Sequence, residues 1–281
     1  MSANSLSRRM LKRLLYPLLN DTSYKYFQAV AMSWDIRRGA WTEPELELLK
    51  FAVKDGDVAL DIGANFGLYC YHLAPLVGPT GAVFAFEPVP FTFSTLKLVG
   101  RLLGFPKTVK LIPKGCADRD QTISFVVPVQ ASGAQVSGMA YLTGRNDDRS
   151  GKEVQVRWDA TKTVTSEAVA LDSYLGEPGN LSLIKCDIEG AELLAFRGAK
   201  RLIEHYHPTV ICEINPWYLE GYGIALAELT GFFFEKGYSL YSYDWEKTGE
   251  LVLIDDLNNV VEDNYLFIHS QRLDDFSSIL N

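Results

Sequence analysis

Glycines, carboxylates and one asparagine fall in this chain at a spacing that can hold an adenosine-bearing cofactor. Residues 58–67, VALDIGANFG, read as a buried strand, a Gly-rich turn and the start of a helix. A second apolar run, VFAFEP, ends about twenty residues on at Glu87, where a carboxylate accepts hydrogen bonds from ribose hydroxyls. Gly63 and Gly67 allow a tight turn and close approach to a ligand, Ala64 and Asn65 lie between them, and Asp61 stands where strand meets turn. A dinucleotide fingerprint needs G-x-G-x-x-G. Asn65 breaks it, so the turn D-x-G-x-N-x-G has no pyrophosphate seat. The cofactor expected is one with a positive sulfonium and no phosphate, S-adenosylmethionine.

A second constellation lies at residues 183–192, LIKCDIEGAE. An apolar strand ends in Asp187, Glu189 follows, and Gly190 lets the backbone pass close to a ligand before a helix starts. Two readings stand here. Acidic residues at this position cap a helix N-terminus. Alternatively, Asp187 sits near the cofactor's methionine end and Glu189 is the base that takes the acceptor's proton. Glu192 is expected to cap or pair at the helix surface.

Glu213, at the end of the next strand, joins the catalytic set, with Asn215 two residues on. By analogy with metal-dependent O-methyltransferases, Asp187, Glu213 and Asn215 are hard oxygen ligands suited to Mg²⁺, a reading that is open but not the expected one. Ligands of open α/β sheets bind beyond the carboxyl ends of the strands, so Cys116, Ala117 and Asp118 are positioned to touch the adenine. Trp217, Tyr218 and Tyr222 suit either a platform for a sugar face or the core. His72, His205 and His207 read as packing or surface residues.

The runs LDIGANFGLY, GAVFAFEPVP, LDSYL, LIKCDIEGAELLAFRGA and PTVICEI, in that order, resemble the FkbM-type methyltransferases over residues 44–270. The resemblance implies a class I methyltransferase (Rossmann-like) fold and methyl transfer, usually to a hydroxyl of a sugar or secondary metabolite. N-methylation of a small molecule or nucleobase is the enzymatic alternative, and a catalytically inactive cofactor-binding protein the non-enzymatic one. No N-P-P-Y-like element follows the fourth strand to cradle a planar amine.

The elements that must position these residues follow from periodicity. Residues 42–53 predict a helix with Thr42 as N-cap, and 66–76, 91–103, 191–205 and 225–236 predict further helices. Strands are expected at 58–62, 82–87, 108–113, 181–187, 209–214, 239–243 and 265–269. This alternation means a doubly wound, mostly parallel sheet with an antiparallel C-terminal strand. Between residues 122 and 169 the alternation gives way to a β-rich insertion. There TISFVVPV and EVQVRW flank a polar stretch, 131–152, expected to act as a lid over the acceptor. The organisation expected is an N-terminal helical extension, 1–41, and a methyltransferase domain, 42–281, with its insertion at about 122–169.

A chain of 281 residues with 47% hydrophobic content can bury one large core. A net charge of −8 and the lack of a long basic run argue against nucleic acid and leave a small-molecule or glycan acceptor. Cys70, Cys116, Cys186 and Cys212 show no C-x-x-C spacing and read as buried reduced thiols, which suits the cytoplasm. Leu6, Met10, Leu14 and Leu18 recur at helical spacing among Arg8, Arg9, Lys12 and Arg13. That basic amphipathic segment is expected to pack on the domain or on a second subunit, with weak membrane-surface contact as the minor reading.

Overall fold

Strands buried on both faces organise the molecule. The computed structural model describes residues 21–129, 140–146 and 160–281. The segments 131–139 and 147–152 of the proposed lid, the EVQVRW run and the basic N-terminal segment lie outside the described residues. The main sheet contains β1 (Val58–Ile62), β2 (Ala82–Phe86), β3 (Val109–Ile112), β8 (Leu181–Cys186), β9 (Thr209–Ile214), β10 (Tyr238–Asp244), β11 (Glu250–Leu253) and β12 (Asp263–His269). Their order is β11-β10-β12-β9-β8-β1-β2-β3. The strands from β9 to β3 pair in parallel, and β12 is antiparallel to both its neighbours.

Alternation divides the core in two. Val58, Leu60 and Ile62 of β1 face one cluster, with Ile184, Cys186, Phe196 and Phe233. Ala59 faces the other, with Leu183, Ile211, Tyr69 and Leu73. Such two-sided burial is why these strands read as nearly continuous apolar runs. The same parity places Asp61, Lys185 and Glu213 on the second face, near the carboxyl ends of three adjacent strands.

The remaining elements are α1 (Asp21–Arg37), α2 (Leu49–Ala52), α3 (Leu68–Val77), α4 (Pro90–Leu103), α5 (Leu171–Leu175), α6 (Glu192–Arg197), α7 (Lys200–Tyr206), α8 (Pro216–Gly221) and α9 (Leu226–Phe234). β4 (Gly115–Cys116), β5 (Gln121–Val129), β6 (Tyr141–Leu142) and β7 (Ala160–Val169) form a second sheet, ordered β4-β7-β5-β6. Its Phe125 and Val127 pack on Val89, just after β2, so the insertion sits over the rim of the main sheet.

Four local expectations are corrected. Residues 44–48 form a 3-10 helix before α2, and Glu43, not Thr42, stands at its N-cap. α3 starts at Leu68 because Gly63, Asn65 and Gly67 take left-handed backbone angles that no helix contains. The helix expected over 191–205 is two helices. The Asp172 carboxylate accepts from the backbone N–H groups of Arg201 and Leu202, at 2.8 and 2.9 Å, and so caps a separate α7. β5 finds its partner in β7, a strand the periodicity did not show, because residues 160–167 are largely exposed and lack an apolar alternation.

Candidate active site

The turn after β1 is held from below by β2. The N–H groups of Gly63 and Ala64 both donate to the Phe86 carbonyl at 3.0 Å, and the Asp187 N–H donates to the Ile62 carbonyl at 3.0 Å. Glu87 then locks the turn from the side. One carboxylate oxygen accepts from Asn65 N–H at 3.0 Å, the other from Val89 N–H at 2.9 Å. Each oxygen keeps a further lone pair for a ligand. Gly63, Asn65, Glu87, Asp187, Ile188 and Glu189 together line a cleft of about 460 Å³. Beside it lies a more apolar pocket of about 480 Å³, walled by Phe86, Pro88, Cys116, Ala117, Ile188 and Leu194. Asn65 Oδ1 is buried without a hydrogen-bond partner.

On the opposite wall the chain bends sharply at Glu189 and Gly190, both in the left-handed region with φ of 61° and 101°. For Glu189 this is a strained conformation, of the kind that persists where surrounding contacts over-determine it. Glu192 supplies those contacts. Its Oε1 accepts from the N–H groups of Ile188 and Gly190, at 3.1 and 3.0 Å. Glu192 is therefore a buried anchor of the loop rather than a surface cap, at 1% exposure. Gly190 is needed for protein packing, where a ligand approach was expected: a Cβ there would lie 2.7 Å from the Tyr218 carbonyl carbon of α8.

Arg145 reaches into this wall from the insertion. Its guanidinium donates to the Glu189 carbonyl at 3.0 Å and stands 3.9 Å from the Glu189 carboxylate. It is sandwiched between the rings of Tyr141 and Tyr218, at 3.7 and 4.0 Å from their centroids. Tyr222 Oη donates to the Leu142 carbonyl at 2.8 Å, and Asn146 N–H to the Gly221 carbonyl at 2.8 Å. Residues 141–146 are thus strapped to α8 beside Glu189. Burial, and next the Asp187 charge, push the Glu189 carboxyl up to about 8, against the opposing pull of Arg145.

A buried polar layer continues along the second face of the sheet. Lys185, 2% exposed, donates to Asn264 Oδ1 at 3.0 Å and lies 3.6 Å from Asp187 and 5.2 Å from the Tyr69 ring centroid. Burial disfavours its charge, but the acidic groups around it, Asp187 first, outweigh that and keep it charged. Asp61 accepts from Cys70 Sγ at 3.1 Å and is 2% exposed. Burial, and next the Asp187 charge, push the Glu213 carboxyl well above the usual carboxylate range.

Burial raises several carboxyls together: Glu87 to about 8, Glu45 and Glu192 to about 7, and Asp61 to about 6. The folded protein therefore keeps protons that the unfolded chain has already released. The associated stability is fully present below the unfolded values and is lost as pH rises through the folded ones. Without ligand, unfolding free energy should fall steadily as pH rises from about 5 to about 9, because the folded protein releases those protons only in that range. Urea titrations across that range check it, and a flat or rising profile contradicts it.

The cleft brings together Gly63, Asn65, Glu87, Asp187 and Glu189, and the adjoining pocket adds Cys116 and Ala117. Ala64 and Gly67 lie within the turn that shapes the cleft. Asp118 is exposed, accepting from Gln121 Nε2 at 3.3 Å, and Asp61 faces Cys70. Asn215 caps α8, its Oδ1 accepting from Tyr218 N–H at 3.2 Å. That use and the Lys185 ammonium beside Asp187 make a poor donor set for Mg²⁺. Arg145 and Lys185 were missed by the sequence reading. Lys185 left a legible signal, since a cation inside an otherwise apolar strand must find carboxylates. Arg145 left none, being one of three cations in the polar stretch 131–152.

A Gly-rich first turn, a carboxylate closing the second strand and an acidic loop after the fourth parallel strand in sequence all meet at a cleft on one rim of a doubly wound sheet of the class I methyltransferase fold. Residues 61–240 match the methyltransferase FkbM domain, and the chain belongs to that family. It is 26% identical over 151 residues to Methyltransferase 1 of Beauveria bassiana, covering 51% of this chain and 59% of the fungal protein. It is also similar to the crystal structure of methyltransferase FkbM from Methylobacillus flagellatus, with TM-score 0.46 and 17% identity over 77% of this chain and 44% of that one. A structure described as a putative rRNA-methylase from Clostridium thermocellum gives TM-score 0.45 and 14% identity, covering 79% and 90% of the two chains. The chain thus spans under two thirds of the fungal and Methylobacillus proteins.

Proposed function

We propose that this protein is an S-adenosylmethionine-dependent methyltransferase acting on a hydroxyl group of a sugar or secondary metabolite. The observation that carries the reading is a single cleft holding Glu87 and Asn65 on one wall and Glu189 on the other. The residues present fit the cofactor. Glu87 has lone pairs for ribose hydroxyls, the buried Asn65 Oδ1 lacks a partner, and the apolar pocket suits a flat base. When bound, the cofactor supplies an activated methyl group on a sulfonium.

Glu189 takes the proton from the acceptor hydroxyl, which is a poor nucleophile until it loses it. Arg145 orients Glu189 from behind, and Lys185 balances the negative charge gathered at the strand ends. The four free, buried cysteines support a reducing compartment, the cytoplasm. Among the described residues no helix is long and apolar enough to cross a membrane.

Calorimetry with S-adenosylmethionine, S-adenosylhomocysteine and NAD tests the cofactor. The two adenosyl ligands should bind and NAD should not; tight NAD binding alone overturns the reading. At about pH 9, where the Glu87 carboxyl has lost its proton, Glu87→Ala should weaken S-adenosylmethionine binding by about 1.5 to 3 kcal/mol, the range for hydrogen bonds to a charged group. Because Glu87 also fastens Asn65 and Val89, the variant should melt earlier as well. An unchanged dissociation constant removes Glu87 from the site. The acceptor is tested by incubating the protein with labelled cofactor and glycan or polyketide extracts, where labelled ethers support the reading and label confined to amines overturns it.

A further inference from the structure

We propose that the outer face of α1, with the adjoining C-terminal end of α4, docks on an anionic lipid bilayer. One side of α1 is fully used: Ala29 and Ile36 pack with Leu68 and Val99. The other side carries Tyr26, Val30 and Trp34, exposed by 55%, 59% and 55%. Their spacing of four residues sets them one above another along a single face of the helix. A helix buried on one side and apolar on the other calls for a second apolar phase.

The charge around this face identifies that phase. The chain as a whole is −8, yet residues 21–41 hold three basic and two acidic side chains, and α4 holds two basic and no acidic ones. Of the acidic pair, Asp35 is buried at 2% exposure. Arg38 lies over the Trp34 ring, 3.9 Å from its centroid. Arg37 donates to the Leu102 carbonyl at 2.9 Å, which joins the 47%-exposed Leu102 and its neighbour Arg101 to the same surface. Tyr and Trp rings with an aliphatic side chain between them, fringed by arginine and lysine, match the headgroup boundary of an anionic membrane. A site for nucleic acid alone has no use for exposed Val30 and Leu102. The face also adjoins the cleft: Tyr24 of α1 stacks on Phe91 at 6.2 Å, and Val89, two residues before it, lines the cleft. Docking would keep the cleft close to the bilayer.

Flotation of the full chain with vesicles tests the proposal at low salt. The protein should rise with phosphatidylcholine vesicles containing phosphatidylglycerol and stay behind with phosphatidylcholine alone. Tyr26→Ser/Val30→Ser/Trp34→Ser should cut the bound fraction about tenfold or more, since it removes the inserted apolar surface. Lys97→Glu/Arg101→Glu should cut it too, and so should raised salt. Melting temperature and S-adenosylmethionine affinity, measured alongside, should stay at the wild-type values, because none of these side chains lines the cleft. The proposal is overturned if the wild type ignores the mixed vesicles, or if the triple variant floats as well as wild type. It is equally overturned if wild type elutes as a dimer that the triple variant dissolves without any vesicle binding, or if the charge variant abolishes binding to RNA while vesicles have no effect.

Discussion

Glu189→Gln lowers turnover by about 10² to 10⁴ while cofactor affinity stays near wild type. The substitution keeps the side chain's size and its place beside Arg145, and removes only its basicity. The surroundings of Glu189 make the test sharper than for a surface carboxylate. Its carboxyl titrates at about 8 because burial and Asp187 oppose its charge. A base works when deprotonated, so kcat/KM of the wild type should climb as pH rises through about 8 and then level. The glutamine variant should show neither the rate nor that limb. Glu192, Gly190 and Arg145 hold the loop through backbone groups that the variant leaves in place, so the enzyme should remain folded. Full turnover by a folded Glu189→Gln protein eliminates the base assignment.

Gly63→Ala should destabilise the protein by about 2 to 5 kcal/mol and abolish cofactor binding, combining backbone strain with overpacking. Gly63 has φ of 82°, and a Cβ built on it lies 2.0 Å from the Asp187 carbonyl oxygen. That oxygen belongs to backbone fixed by the Asp187 N–H bond to Ile62, so it cannot move aside without opening the sheet between β1 and β8. Gly104→Ala is the control. Its φ of 76° carries the same kind of strain, but nothing lies within 4 Å of the added Cβ. It should cost only about 1 kcal/mol. Equal melting temperatures for the two variants would remove the steric argument and leave Gly63 as an ordinary turn glycine.

Local chemistry made part of this protein legible from its sequence. The D-x-G-x-N-x-G turn, the Glu-Pro after β2 and the acidic loop after β8 each depend on backbone angles and strand ends a few residues long. The free cysteines were legible for the same reason, since Cys186 and Cys212 sit inside runs that can only be buried strands. The two-sided parallel sheet followed from those apolar runs.

Other features were decided by residues far apart in the chain. Arg145 meets Glu189 across 44 residues, and β7 pairs with β5 although its exposed half lacks a strand's alternation. The metal-ligand reading of Asn215 was open on the sequence without being the expected one, and the bend into α8 turns its side chain back to cap that helix. Glu192 read as a surface residue, but two orphaned N–H groups of the strained loop draw it inside. Periodicity and local sterics set which elements form and which way their residues face. Which charges share a buried site, and therefore which carboxyls keep their protons, depends on distances that exist only once the sheet has closed and excluded water.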